Sequence, residues 1–155
     1  MILRTPIPDD AEFYAALENN PRVKRFVGGP SGRTADHYRQ NITLGQQRDN
    51  LSTLTVMHRD SGAIIGRAGI LELDNHEIEV HCVLAEEYWG QSFGLEIVTS
   101  LIDLCKQLFP RKQIAGKVHP DNTASIRIIE RLSFREVGLI QSDGFDNGFR
   151  KFIIE

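Results

Sequence analysis

Apolar and polar positions alternate most cleanly between Glu77 and Leu84. Ile78, Val80, Cys82 and Leu84 fall on one face, and Glu77, Glu79, His81 and Val83 on the other. A period of two marks a strand with unlike faces. After the small residues of Gly90 to Gly94 the period changes: Ile97, Leu101, Leu104, Cys105 and Leu108 recur at helical spacing, and Pro110 stops the pattern. This stretch, strand then turn then helix to about Leu108, organises the expectations for the rest of the chain.

Upstream, Ile2 to Thr5 reads as a short strand ended by Pro6 and Pro8, and Asp9 and Asp10 are expected to cap a helix through Phe13 and Leu17. Asn19-Asn20-Pro21 ends it, since the residue before proline is pushed out of the α region. Val23, Phe26 and Val27 form a brief apolar turn, and Gly28 to Arg33 a loop. Thr34 is placed to cap a second helix, roughly Ala35 to Arg48. Leu51 to His58 and Ala63 to Leu73 read as strands joined at Asp60-Ser-Gly62, with Gly66 and Gly69 suggesting a bulge or close backbone approach. Asp74-Asn75-His76 turns the chain into the strand at Glu77.

Downstream, Gln113 to Val118 is a strand. His119-Pro-Asp121 opens a helix carrying Ile126, Ile128, Ile129 and Leu132, and Phe134 to Ile140 is a further strand. Ser142 to Gly148 reads as a turn before a last strand, Phe149 to Ile154. A hairpin sheet followed by β–α–β–α–β–β predicts an α/β fold: a mixed sheet with helices on both faces and one crossover unit.

Composition narrows the class. A chain of 155 residues with 41% apolar and 25% charged residues reads as one ordinary globular domain spanning 1–155. A formal net charge of -3 supplies no basic field for nucleic acid or an anionic membrane. No apolar run approaches the roughly 20 residues of a membrane span, and the first residues show no signal-peptide h-region. Cys82 and Cys105 both sit in apolar patterns, which suits buried thiols in a reducing cytoplasm better than a disulfide. His37, His58, His76, His81 and His119 lack the spacing of helical metal sites, so no metal is expected.

The chemistry-bearing feature is the turn itself. A strand feeding a helix N-terminus through Gly90, Ser92 and Gly94 forms an anion site, because the first helical amides lack partners and the dipole is positive there. By motif alone it could equally be a helix start with small residues and no ligand.

The run Tyr88-Trp-Gly-Gln-Ser-Phe-Gly-Leu-Glu96, followed by Asn122-Thr-Ala-Ser125 and Arg131-Leu-Ser-Phe134, resembles the GNAT superfamily of acyl-CoA N-acyltransferases. The similarity is greatest to its branch of ribosomal-protein N-terminal acetyltransferases and their relatives. It covers nearly the whole chain, with Leu3-Arg4, Asp10-Ala-Glu-Phe13, Asn20-Pro-Arg-Val23 and Ile65-Gly66 also in place. The resemblance implies a mostly antiparallel sheet of six or seven strands, two of them splayed into a wedge, with acetyl-CoA as cosubstrate. The family's pyrophosphate loop, Gln/Arg-x-x-Gly-x-Gly/Ala, falls on Trp89 to Gly94, with Ser92 where a glycine is usual. A negative φ at Ser92, as in a helix first turn, would reconcile the two.

What the resemblance implies for individual residues follows. Val83 and Leu84 pair with the pantetheine arm, and the Leu84 amide polarises the thioester carbonyl. Gln91, Ser92, Phe93, Gly94 and Leu95 hold the pyrophosphate. Glu79 is the first candidate for base, directly or through water, and His81 the second. Many members carry a tyrosine where this chain has Ile129, so Ser125 takes the role of donor to the departing thiolate. Asn122 contacts the pantetheine or only caps its helix, and Arg131 contacts a CoA phosphate or is a solvated surface charge. The expected activity is transfer of an acetyl group to a primary amine, on a protein or peptide N-terminus or a small molecule, by a cytoplasmic monomer or homodimer. A catalytically weak CoA-binding sensor is the alternative. A nucleotide- or flavin-binding domain is disfavoured by the absence of a Gly-x-x-x-x-Gly-Lys loop and an early Gly-x-Gly-x-x-Gly. Arg22, Lys24, Arg25 and Arg33 form a local basic cluster near the acceptor entrance, which either orients an acidic substrate or, as expected first, is a solvated face.

Overall fold

The computed structural model describes residues 1–46, 51–74, 76–142 and 145–154. Seven strands form one sheet: β1 (Ile2–Arg4), β2 (Leu54–Met57), β3 (Ile64–Glu72), β4 (Glu77–Leu84), β5 (Gln113–Val118), β6 (Arg135–Ser142) and β7 (Phe145–Ile154), in the order β1-β2-β3-β4-β5-β7-β6. All neighbours are antiparallel except β4 and β5, which run parallel. Among the described residues four α-helices complete the fold: α1 (Ala11–Asn19), α2 (Ala35–Gln46), α3 (Phe93–Leu108) and α4 (Thr123–Arg131). The parallel pair needs a crossover, which α3 supplies.

Alternation on β4 sorts the layers as expected. Ile78 and Val80 join Ile97, Val98, Leu101, Ile102 and Cys105 of α3 and Ile129 of α4 in the main core. The α3 stripe is shifted from expectation. Val98 and Ile102 are buried, whereas Leu108 is exposed, because it lies in the last turn beyond the sheet. On the opposite face, Leu17 of α1 packs near Val83, and Tyr14 near Tyr38 and Ile42 of α2. Both thiols are free, and burial pushes each up to about 11.

Asp10 departs from its expected capping role. It is buried and makes no side-chain cap to α1. Its carboxylate instead receives both Arg4 guanidinium donors at 2.8 and 2.7 Å, the Thr55 hydroxyl at 2.6 Å and the Ile7 N–H at 3.0 Å. Since Thr55 donates to Asp10, it accepts from Tyr14 Oη at 2.8 Å. One charge thus ties β1, β2 and α1 together, and burial without those donors would cost several kcal/mol.

Local limits differ elsewhere. The observed β2 is shorter than Leu51 to His58, although Leu51 still accepts from Ile70 N–H at 3.0 Å. Within the expected turn from Ser142 to Gly148, β7 already begins at Phe145. Gly148 has φ +61 and lies against the Ile140 carbonyl where the β6–β7 register shifts, so the glycine marks a bulge within a longer hairpin. Arg48 at the expected end of the second helix, Asn75 of the turn before β4, and residues 143 and 144 of the last turn lie outside the described residues.

Candidate active site

β4 and β5 pair only at Glu77↔Gln113, Ile78↔Ile114 and Glu79↔Ala115. Both strands continue, β4 to Leu84 and β5 to Val118, and β5 stays paired with β7 as far as Val118↔Arg150. The two strands therefore part beyond Glu79 and leave a wedge in the sheet. Ala85 N–H bonds to the Ile65 carbonyl at 2.9 Å, so Ala85 turns its main chain toward β3. By strand alternation, Leu84 turns its N–H and C=O toward the wedge. Val83 has the Ala85 orientation, and its carbonyl lies against Gly66 of β3. Of the two residues expected to meet the pantetheine through main-chain groups, Leu84 alone faces the opening.

The wedge strand runs into the turn before α3. Trp89 Nε1 donates to the Leu84 carbonyl at 3.0 Å, and Gln91 Nε2 donates to the Glu87 carbonyl at 2.9 Å. The first helical bond runs from Glu96 N–H to the Ser92 carbonyl at 3.2 Å. The amides of Phe93, Gly94 and Leu95 precede it and belong to the set that a helix start leaves without backbone partners. Gly90 has φ +73 and Ser92, the N-cap, φ +66, with no side-chain cap from Ser92. The expectation of a negative φ at Ser92 is thus corrected. The chain reverses between strand and helix by two left-handed residues, and one of them is not glycine, at a cost of about 1–2 kcal/mol. Gly94 has a packing reason: a Cβ there would meet Ile128 Cδ1 of α4 at 2.9 Å. Phe93 is half-buried, edge-on to His58 with centroids 5.5 Å apart.

From the other side, α4 closes over β5, with Ile129 Cδ1 3.4 Å from where a Cβ on Gly116 would stand. Asn122 caps α4 by accepting from Ser125 N–H at 3.2 Å, so its side-chain oxygen serves the helix and only its amide NH2 is left for a ligand. Ser125 is half-buried, and among the described residues its hydroxyl makes no hydrogen bond. Arg131 is exposed in the last turn of α4, where a cation suits the helix dipole.

At the vertex of the wedge, the buried carboxylate of Glu79 has Oε2 2.8 Å from Lys117 Nζ of β5. The pair is close, but Oε2 is buried without a hydrogen bond of good geometry. Two registers away, Lys151 Nζ holds both oxygens of Glu77 at 2.5 and 2.7 Å. His81 donates through Nε2 to the Ser52 carbonyl at 3.0 Å, and burial, with Arg67 next, holds its pKa below the ordinary histidine range. It is therefore neutral and anchored, which leaves only Nδ1 to accept a proton.

Three of the four residues of the expected basic face, Arg22, Arg25 and Arg33, are exposed, with Arg22 pairing with Glu86 and Arg25 lying over the Phe26 ring at 5.0 Å. Lys24, by contrast, is half-buried and joins Arg67 at the buried Glu18, at 2.6 and 2.9 Å. Lys117, Arg67 and the Trp89 clamp escaped the sequence reading. Their only signal was an alternate position on a strand or a place in the loop, and their partners come from distant chain segments. Among the described residues no group of three or more His, Cys, Asp or Glu could hold a metal ion, and no helix is long and apolar enough to cross a membrane.

A mixed sheet opened between its one parallel pair, with a helix start at the mouth, has the architecture of an acyl-CoA transferase. The model of the family described as "Acetyltransferase (GNAT) domain" matches residues 1–135, and the chain belongs to that family. It is 24% identical over 146 residues to the uncharacterized N-acetyltransferase p20 of Bacillus licheniformis, covering 91% of this chain and 82% of that protein. Among solved structures, it matches the spermidine N-acetyltransferase of Vibrio cholerae in complex with CoA and spermine with TM-score 0.85 and 18% identity, over 99% of this chain and 94% of that one. A GNAT-family acetyltransferase from Bacillus anthracis gives TM-score 0.82 and 15% identity, over 97% and 90%. These place the chain in the activity class of N-acetyltransferases, a family that uses acetyl-CoA.

Proposed function

We propose that this chain acetylates a primary amine by its direct attack on acetyl-CoA held in the β4–β5 wedge. The observation that carries the reading is the loss of β4–β5 pairing after Glu79↔Ala115, just where β4 leads into a helix start with open amides. Bound there, acetyl-CoA supplies an acetyl group activated as a thioester. In this reading the Leu84 N–H, turned to the wedge, donates to the acetyl carbonyl. The amides of Gln91 to Leu95 take the pyrophosphate, with Ser92 holding the turn. Of Asn122, the remaining amide N–H groups contact the pantetheine, while Ser125 Oγ donates to the departing sulfur. Arg131 has no part in our assignment.

Glu79 is our base. The acceptor arrives as an ammonium and Glu79 already holds one, on Lys117, so substrate entry exchanges one cation for another. His81 is second, through Nδ1. The acceptor is a protein or peptide α-amine or a small-molecule amine. Spermidine enters the panel because the Vibrio cholerae neighbour acts on it.

One observation keeps the sensor reading in view: Ile129 is buried against β5, so α4 offers no hydroxyl at that position. A single pair of measurements separates the two. Acetyl-CoA should raise the melting temperature, and some member of a panel of peptides, polyamines and aminoglycosides should release free CoA thiol. Stabilisation without thiol release across the panel would favour the sensor, and stabilisation by ATP or NAD instead would overturn both.

A further inference from the structure

A cavity of about 330 Å³ lies on the opposite face of the sheet from α3, between α1, α2 and the β2–β3 ribbon. None of the wedge or turn residues lines it. Its wall includes Tyr14, Arg33, Tyr38, Asn41, Ser52 and Arg67, and among the described residues lining it there is no carboxylate. That volume is in the range of small-molecule sites.

The two arginines bring donors that the protein does not use. Arg67 meets Glu18 through one terminal nitrogen at 2.9 Å, yet its Nε is buried with no hydrogen-bond partner among the described residues. A guanidinium has five N–H donors in a fixed fork. Arg33 is exposed, and its guanidinium makes no ion pair among the described residues. Between them the wall is aromatic: Tyr14 and Tyr38 stand edge to face, centroids 6.2 Å apart. Arg67 Cζ lies 5.9 Å from the Tyr14 ring centroid. Glu18, which pairs with Arg67, is itself shared with Lys24 at 2.6 Å.

We propose that this cavity binds a small organic anion, one carboxylate or phosphate on an apolar or aromatic body, at a site separate from the wedge. Guanidinium pairs match such oxyanions in bidentate fashion, and the same pair repels a polyamine. The proposal does not rest on the acetyl-transfer reading, because no residue assigned there to CoA lines the cavity, although Arg67 and Ser52 neighbour His81.

The test is calorimetric titration of the full chain with benzoate, phenyl phosphate and spermidine, each with and without saturating CoA. At least one of the two anions should bind at one site in the presence of CoA, and the stronger of them identifies the oxyanion as carboxylate or phosphate. Arg33→Gln should weaken that binding roughly tenfold, the scale of one charge-assisted hydrogen bond. The Arg33 side chain is exposed and makes no ion pair among the described residues, so folding is not at stake. Amide shifts on titration should centre on Tyr38, Asn41 and Thr53. Absence of heat from both anions overturns the proposal. So does anion binding that CoA abolishes, binding unchanged in both Arg33→Gln and Asn41→Leu, or spermidine occupying the cavity in their place.

Discussion

Trp89 Nε1 donates to the Leu84 carbonyl at 3.0 Å, so the first residue of the phosphate turn holds the last residue of the wedge strand. A carbonyl fixed on one side of Leu84 also fixes the N–H on which our mechanism depends. Trp89 is partly exposed, so little burial is lost with the indole nitrogen. Trp89→Phe should therefore lower kcat several-fold while the melting temperature falls by only a few degrees, the effect of about 1 kcal/mol. Unchanged kcat with the amine acceptor would separate the clamp from catalysis.

Two serines occupy left-handed backbone, Ser92 with φ +66 and Ser133 with φ +60, the latter just past the end of α4. Glycine removes the Cβ conflict but adds freedom to the unfolded chain. The net for each of Ser92→Gly and Ser133→Gly should be stabilisation of roughly 0.5–1 kcal/mol, read from denaturant midpoints. Ser92→Glu should weaken CoA binding by setting a charge against the pyrophosphate, and undiminished affinity would move the cradle elsewhere.

Those serines also show where the sequence was silent. The order of strands and helices was legible because burial follows local periods: β4 alternates, and α3 repeats apolar residues each turn. The wedge strand could be located to its residues, Glu77 to Leu84, whereas sequence signals put the start of α4 at Pro120 or Asp121 and leave capping as only one of two readings of Asn122. Ser92 was misjudged because serine before a helix usually signals ordinary N-cap backbone, while the reversal after Gly90 demands a second left-handed residue. The Glu79–Lys117 pair depends on the parallel register Glu79↔Ala115, and no short-range pattern encodes that register. Asp10 looked like a helix cap because its partners Arg4 and Thr55 come together only when β1 and β2 pair.

Two groups that contribute to the acid side of stability are His81 and Asp10. His81 is held below its ordinary value by burial and by Arg67, so the folded state resists a proton that the unfolded chain accepts below about pH 6.5. Stability from this group is complete above that pH and declines as pH falls beneath it. Burial alone would raise Asp10, but donors from Arg4, Thr55 and Ile7 together hold it below the usual carboxylate range. Its contribution is complete above roughly pH 4 and is lost as pH falls further. Urea midpoints against pH should show a plateau near neutrality and two successive declines. His81→Gln should remove the upper decline and leave the lower.

Gly94 separates packing from phosphate binding. An added methyl points at Ile128 Cδ1, 2.9 Å away, rather than at the turn amides. Gly94→Ala should destabilise by about 1 kcal/mol as that side chain gives way. The double variant Gly94→Ala with Ile128→Val should recover much of the loss and restore CoA affinity. Affinity that stays low once packing is restored would show that the Cβ itself obstructs the ligand.

The Glu79–Lys117 pair allows base and gatekeeper to be told apart. If the acceptor ammonium replaces Lys117 at the carboxylate, Lys117→Met removes a competitor and a charge that repels the substrate. KM for the amine should then fall, with kcat changed less. The penalty is a buried carboxylate left without its cation in the free protein, which should lower stability by a few kcal/mol. Glu79→Gln removes the proton acceptor but keeps the shape, so kcat should drop about 10²-fold or more while CoA affinity holds. The pH profile supplies the check. In the wild type a bound ammonium can pass its proton to the carboxylate, whereas in Glu79→Gln only amine already deprotonated in solution reacts, so kcat/KM of that variant should climb with pH up to the amine's own pKa. If both variants lower kcat equally with identical profiles, the pair positions the strands and the base lies elsewhere, with His81 Nδ1 next to be tested.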